Sequence, residues 1–170
     1  FQTMRDTRLG FEYAKVEFAK PALRREQIAA YLQTTPRDKP LFLWVHLFEP
    51  HAPYVPPAPL AETYRDAPYL GEVATADAAL APLLDGLTSP TLVVLTGDHG
   101  ESLGEHGETT HGLFAYGATL HVPLVLAGPG GEPGRDARSA RHVDVLPTIL
   151  ASLGVPIQPS LPGRSLLVAE

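Results

Sequence analysis

The sequence predicts an α/β fold, a partial and mostly parallel sheet with flanking helices. Two observations lead there. Residues 41–47, 91–96 and 122–127 are short apolar runs of strand length, rich in Val and Leu. Around them, residues 21–35, 69–87 and 144–153 space their apolar residues as helices do. Strands alternating with helices imply parallel neighbours joined by right-handed crossovers. At 170 residues the chain suits one domain with a single core, with 1–20 as a lead-in and 155–170 as a tail.

In chain order, residues 1–20 mix charge and aromatics without a clear period, apart from a short strand expected over 12–18. From Pro21, Leu23, Ile28, Tyr31 and Leu32 mark one face of a helix that ends before Pro36. Residues 41–47, Leu-Phe-Leu-Trp-Val-His-Leu, read as a strand buried on both faces. The loop after it, 48–57, carries enough proline to prevent regular pairing and to stiffen the backbone around His51. Residues 69–87 form an amphipathic helix in which Pro82 predicts a kink or a restart. A strand begins at Thr91, and a long loop over 97–119 follows, of a length that is usually functional. The third strand spans 122–127, with Pro123 near its start. After a Gly, Pro and Arg rich surface loop, Asp144 is placed to cap a helix carrying Val145, Leu146, Ile149, Leu150 and Leu153, with Gly154 as its stop.

Composition narrows the function classes. A formal charge of -6 and the lack of any basic run argue against a nucleic-acid surface. The absence of Cys excludes disulfides and thiolate metal sites, though it does not fix the compartment. No apolar run approaches the roughly 20 residues that span a bilayer. The chain starts at Phe1, which leaves room for an upstream signal or anchor.

The chemistry concentrates in residues 91–107, Thr-Leu-Val-Val-Leu-Thr-Gly-Asp-His-Gly-Glu-Ser-Leu-Gly-Glu-His-Gly. Asp98 and His99 stand at the end of an apolar strand, where open sheets place their ligands. Neighbours on a strand point to opposite faces, so the two share one target only if the backbone turns, as Gly97 and Gly100 permit. The plain alternative is Asp98 closing a turn on its own backbone beside an exposed His99.

Thr-Gly-Asp-His-Gly-Glu, then Gly-Glu-His-Gly, Thr-His-Gly-Leu-Phe and Val-Pro-Leu-Val, taken in that order, resemble the carboxyl-terminal half of the sulfatase family within the alkaline phosphatase superfamily. The resemblance covers about residues 41–167. It implies an alkaline-phosphatase-like three-layer sandwich and a metal-dependent hydrolase of sulfate or phosphate-type esters. It implies that Asp98 and His99 ligate a divalent metal ion, with Mn or Zn suiting an oxygen and nitrogen pair better than Ca, and Mg also open. His51, in Glu-Pro-His-Ala-Pro-Tyr, matches a His that serves the departing oxygen. His111 falls where many sulfatases have a Lys contacting the sulfate. Many sulfatases have Asn in place of His99, which leans toward members that include phosphonate and phosphate ester hydrolases; a phosphonate or phosphodiester hydrolase or a phosphoglycerol transferase of the same superfamily is the alternative. His106 reads equally as a residue orienting a ligand or as a turn residue. His46, inside a strand, reads at least as well as a buried structural imidazole as it does as a site residue. Glu101 and Glu105 are expected to brace the loop or bond a ligand imidazole.

The family's other two metal carboxylates and its Cys/Ser-x-Pro-x-Arg nucleophile are expected in an amino-terminal half, from the same protein or from a complementing chain. The chain by itself is then expected to be inactive, and an exposed sheet edge to favour oligomers. A catalytically silent binding module is the alternative from another class. The resemblance is compatible with periplasmic, extracellular or membrane-anchored settings and does not choose among them.

Overall fold

The computed structural model describes residues 2–4, 12–17, 30, 32–34, 40–88, 90–129 and 131–167. They fall into two compact units, Phe1–Thr88 and Ser89–Glu170.

In the first unit, strands β1 (Gln2–Met4), β2 (Glu12–Glu17) and β3 (Leu41–His46) form a sheet in that order. β1 runs antiparallel to β2, and β2 runs parallel to β3, with Glu12 opposite Leu41 and Glu17 opposite His46. The expected strand over 12–18 is present, whereas β1 was not expected. Of the helix expected over 21–35, residues 30 and 32–34 are helical and the rest lies outside the described residues.

β3 differs from its expectation. Instead of burial on both faces, its exposure alternates with the two-residue period of a strand from Leu43 onward: Leu43 and Val45 turn to the core and Trp44 is 51% exposed. Leu43, Val45, Leu47, Leu32 and Leu83 pack around Ala79. Apolar side chains of this size contribute up to about 1.5–3 kcal/mol each when fully buried.

Ala79 belongs to α2 (Pro68–Asp85), which follows a short helix, α1 (Ala58–Thr63), that the sequence pattern did not reveal. Proline opens α2 at a position whose N–H needs no helical partner. Pro82 neither stops nor restarts it; the helix continues to Asp85, and the Gly86 N–H closes it on the Pro82 carbonyl. So few residues follow Pro82 that the one missing bond, to residue 78, lies near the end.

In the second unit, β4 (Val93–Thr96) pairs antiparallel with β5 (Leu124–Ala127), Thr96 opposite Leu124. Both start a little later than the apolar runs suggest. This register puts the two ends of the 97–123 connection at one end of the ribbon, and a connection that returns on itself needs no helical crossover. It holds a short 3₁₀ turn at Glu105–Gly107 and a one-turn helix, α3 (Gly117–Leu120).

The last helix, α4 (Val145–Ser152), ends as expected: Gly154 takes φ 65°, its N–H bonds Ala151, and the Val155 N–H bonds Leu150. Its start is different. Asp144 makes no side-chain bond to α4. It is fully buried and reaches back to the Arg141 N–H (2.8 Å) and across to the Arg164 N–H (3.0 Å), tying the tail to the 3₁₀ turn His142–Asp144. Among the described residues no helix is long and apolar enough to cross a membrane.

Candidate active site

The turn after β4 is built around two glycines. A Cβ on Gly100 would run into the backbone carbonyl of Ala118, and the Gly100 N–H bonds the Thr119 carbonyl at 2.8 Å. Only glycine lets the turn sit this close to α3. Gly97 is fixed from the other side, its carbonyl accepting from His142 Nε2–H at 2.8 Å.

Within this turn Asp98 and His99 converge. His99 Nε2 lies 3.8 Å from Asp98 Oδ1, and the same oxygen accepts the His99 backbone N–H at 3.0 Å. His99 Nδ1 is 2.8 Å from the Gly100 carbonyl, which can only accept, so Nδ1 carries the proton and the neutral ring keeps its lone pair on Nε2. A hydrogen bond of this kind from the non-ligating nitrogen is what orients metal-binding imidazoles.

His111 joins the pair. Its ring centre is 4.0 Å from that of His99, with the planes 34° apart. Glu101 Oε1 accepts from His111 Nδ1 at 3.0 Å, and the Glu101 side chain is 5% exposed. Glu101 was foreseen to brace the loop or bond a ligand imidazole; the imidazole it bonds is that of His111. Glu105 braces the loop: its Oε2 accepts the Leu103 N–H at 2.6 Å, and its own N–H and that of Leu103 hold its carboxyl below the usual glutamate range.

The loop carrying His111 is closed by a carboxylate absent from the expectations. Glu108, 5% exposed, accepts the Leu113 and Phe114 N–H groups on Oε1 at 3.1 and 3.4 Å, while Oε2 is buried with no partner. Ser102, fully buried, donates to the Glu108 carbonyl at 2.8 Å.

His106 takes φ 57° and stacks on Tyr116, ring centres 4.1 Å apart. His46, at the end of β3, is exposed, so the buried structural reading of it is corrected: it falls on the outward face with Trp44. His51 lies in the first unit. Its Nδ1 is 2.7 Å from the Ala52 carbonyl, and its ring stacks on Phe48 with centres 4.3 Å apart. In all three of His51, His99 and His111, Nδ1 faces a backbone or carboxylate oxygen.

For a metal, Asp98 and His99 fit as two donors. Bonds of about 2.0–2.2 Å from a shared cation span at most about 4.4 Å, which accommodates their separation. Among the described residues no third His, Asp or Glu completes a cluster.

The sulfatase family model matches residues 3–155. The chain belongs to the sulfatase family. The sulfatase YidJ of Escherichia coli K12 is 27% identical over 184 aligned positions, covering 82% of this chain and 37% of YidJ. Arylsulfatase K of Xenopus laevis is 34% identical, covering 79% of this chain and 27% of that protein. Choline-sulfatase of Rhizobium meliloti is 33% identical over 53% of the chain. A solved chain from Bacteroides thetaiotaomicron assigned as a sulfatase superposes with a TM-score of 0.62 at 19% identity, covering 86% of this chain and 44% of its own. That likeness supports the alkaline-phosphatase-like α/β fold. This sulfatase chain thus spans less than half the length of YidJ and of the solved chain.

One further residue and one further string escaped the sequence pattern. His142, which no motif singles out, bonds the carbonyl directly before Asp98 from 45 residues away. The string Ser160-Leu-Pro-Gly-Arg164 has the Ser-x-Pro-x-Arg form of the family's nucleophile motif, which the chain was expected to lack. It lies in the tail: Ser160 is exposed in a turn, Gly163 takes φ 91°, and the Arg164 N–H bonds Asp144.

Proposed function

We propose that the full-length protein hydrolyses sulfate esters with a divalent cation held in part by Asp98 and His99. The observation that carries this reading is the convergence of Asp98 Oδ1 and His99 Nε2, 3.8 Å apart at the end of β4, in a sulfatase-family chain. When bound, such a cation polarises an ester oxygen and favours attack on sulfur. As the bond between sulfur and the leaving oxygen breaks, protonated His51 delivers its Nε2 proton to that oxygen. His111, in its imidazolium form with Nδ1–H held by Glu101, donates Nε2–H to a non-bridging oxygen and stabilises the charge gathering there. The nucleophile is assigned outside these residues, which contain no Cys and whose Ser160 stands in an exposed turn of the tail. The chain alone is accordingly inactive. Sulfate esters are preferred to phosphate-type esters because the relatives include an arylsulfatase and a choline-sulfatase.

The test is turnover of 4-nitrophenyl sulfate by the full-length protein. Asp98→Ala and His99→Ala are each expected to lower kcat/KM by at least about 100-fold, since even outer-shell changes cost 10–100-fold. Chelation abolishes turnover and added Mn or Zn restores it. Turnover indifferent to both variants and to chelation would overturn the reading. Hydrolysis of phenyl phosphonate esters in place of the sulfate would move the protein to the phosphonate branch.

A further inference from the structure

The loop that carries His51 is seated on the first turns of α2. Tyr54 meets Tyr69 edge to face with ring centres 5.5 Å apart. Pro56 is buried over Gly71, where a Cβ would lie 2.7 Å from its ring. Next on the helix stands Glu72, 6% exposed, whose carboxylate is taken up by the loop: Oε2 accepts the His51 N–H at 3.1 Å and Oε1 accepts the Val55 N–H at 2.9 Å. A buried carboxylate receiving two backbone amides makes strong, charge-assisted bonds, and its two oxygens fix a direction as well as a distance.

One of those amides is that of His51 itself. The ring's remaining freedom is limited by the Ala52 carbonyl on Nδ1 and by the Phe48 face. Thus the backbone from which the imidazole rises is set by Glu72, while the ring's rotation is set by its neighbours.

We propose that Glu72 is a positioning residue for proton delivery to the leaving group, acting through His51 by holding its amide. This rests on the role given to His51 above. The geometry needed is strict, because misplacement of a catalytic group by about 1 Å can cost about 100-fold.

Proton delivery matters most when the departing oxygen is a poor leaving group, which gives a readout that a merely structural role would not move. The experiment compares kcat/KM of the full-length protein on phenyl sulfate and 4-nitrophenyl sulfate for the wild type, His51→Ala, Glu72→Ala, Glu72→Gln and the His51→Ala/Glu72→Ala double variant. Glu72→Gln preserves volume and one acceptor, so it remains informative if Glu72→Ala does not fold. The proposal expects both Glu72 variants to lose roughly tenfold more on phenyl sulfate than on 4-nitrophenyl sulfate. It also expects the double variant to be no more selective than His51→Ala, since the two residues act through one group. If His51→Ala discriminates between the substrates while the Glu72 variants lose activity equally on both, the Glu72 role is overturned and that of His51 stands. If His51→Ala does not discriminate, the His51 assignment itself fails and takes the Glu72 proposal with it.

Discussion

Buried carboxylates do the positioning in this chain, and they do it by accepting backbone N–H groups. Glu108 accepts two such groups in the loop following His111. Removing a buried acceptor leaves the donors unsatisfied, at about 1–3 kcal/mol. Glu108→Ala is therefore expected to lower unfolding free energy by about that amount, and Glu108→Gln, which keeps an acceptor at Oε1, by less. Urea unfolding of the two variants checks the order.

Asp144 adds a pH dependence. The Arg141 guanidinium, together with the Arg164 and Arg141 amides, holds its carboxyl below the usual aspartate range, against the opposing effect of burial. A depressed folded-state pKa contributes stability that is complete above the unfolded value, about 3.9, and disappears as pH falls through the folded value. Asp144→Asn is thus expected to lower Tm at pH 7, with the gap to wild type narrowing below about pH 4. A gap that is constant from pH 7 to 3 would contradict the assignment.

Legibility at this scale follows distance along the chain. Asp98 and His99 announce themselves because their bend is written in the flanking glycines. Glu72, Glu108 and His142 do not, because each acts on a backbone group that no local pattern specifies; the contact from Glu72 to His51 spans 21 residues.

Among elements, α2 was anticipated nearly in full, because its spacing of apolar residues is long enough to be unambiguous. The short ones were not: α1 and β1 are too brief to show a period. β3 was read as buried on both faces since an unbroken apolar run hides its own alternation, and only packing reveals that Trp44 faces out. The restart foreseen at Pro82 is absent for a positional reason, the helix having nearly ended. An interior proline costs a helix up to about 3 kcal/mol, offset by about 0.4–1 kcal/mol of unfolded-state entropy. Pro82→Ala should accordingly stabilise the protein by about 1–2 kcal/mol, seen as a higher Tm; a lower Tm would show that the proline ring is needed for packing.

For the whole molecule, the ordered series of short motifs made the family legible from sequence, and the match over residues 3–155 bears it out. The pairing of strands was less legible. Among the described residues only β2 and β3 are parallel, while β1–β2 and β4–β5 are antiparallel, because hydrophobic runs identify strands without stating their neighbours. The candidate site was legible as a list of residue types and illegible as a geometry: nothing local foretells that His111 lies against His99 with Glu101 behind it. The proposed cation site takes two ligands, Asp98 and His99, from the second unit's turn and its remaining ligands from elsewhere in the protein. The direct measurement is anomalous diffraction from crystals of the full-length protein grown with Mn. The expected result is a single strong peak about 2.0–2.3 Å from both the Asp98 carboxylate and His99 Nε2; a peak bound elsewhere, with Asp98 and His99 turned away from it, would contradict the account.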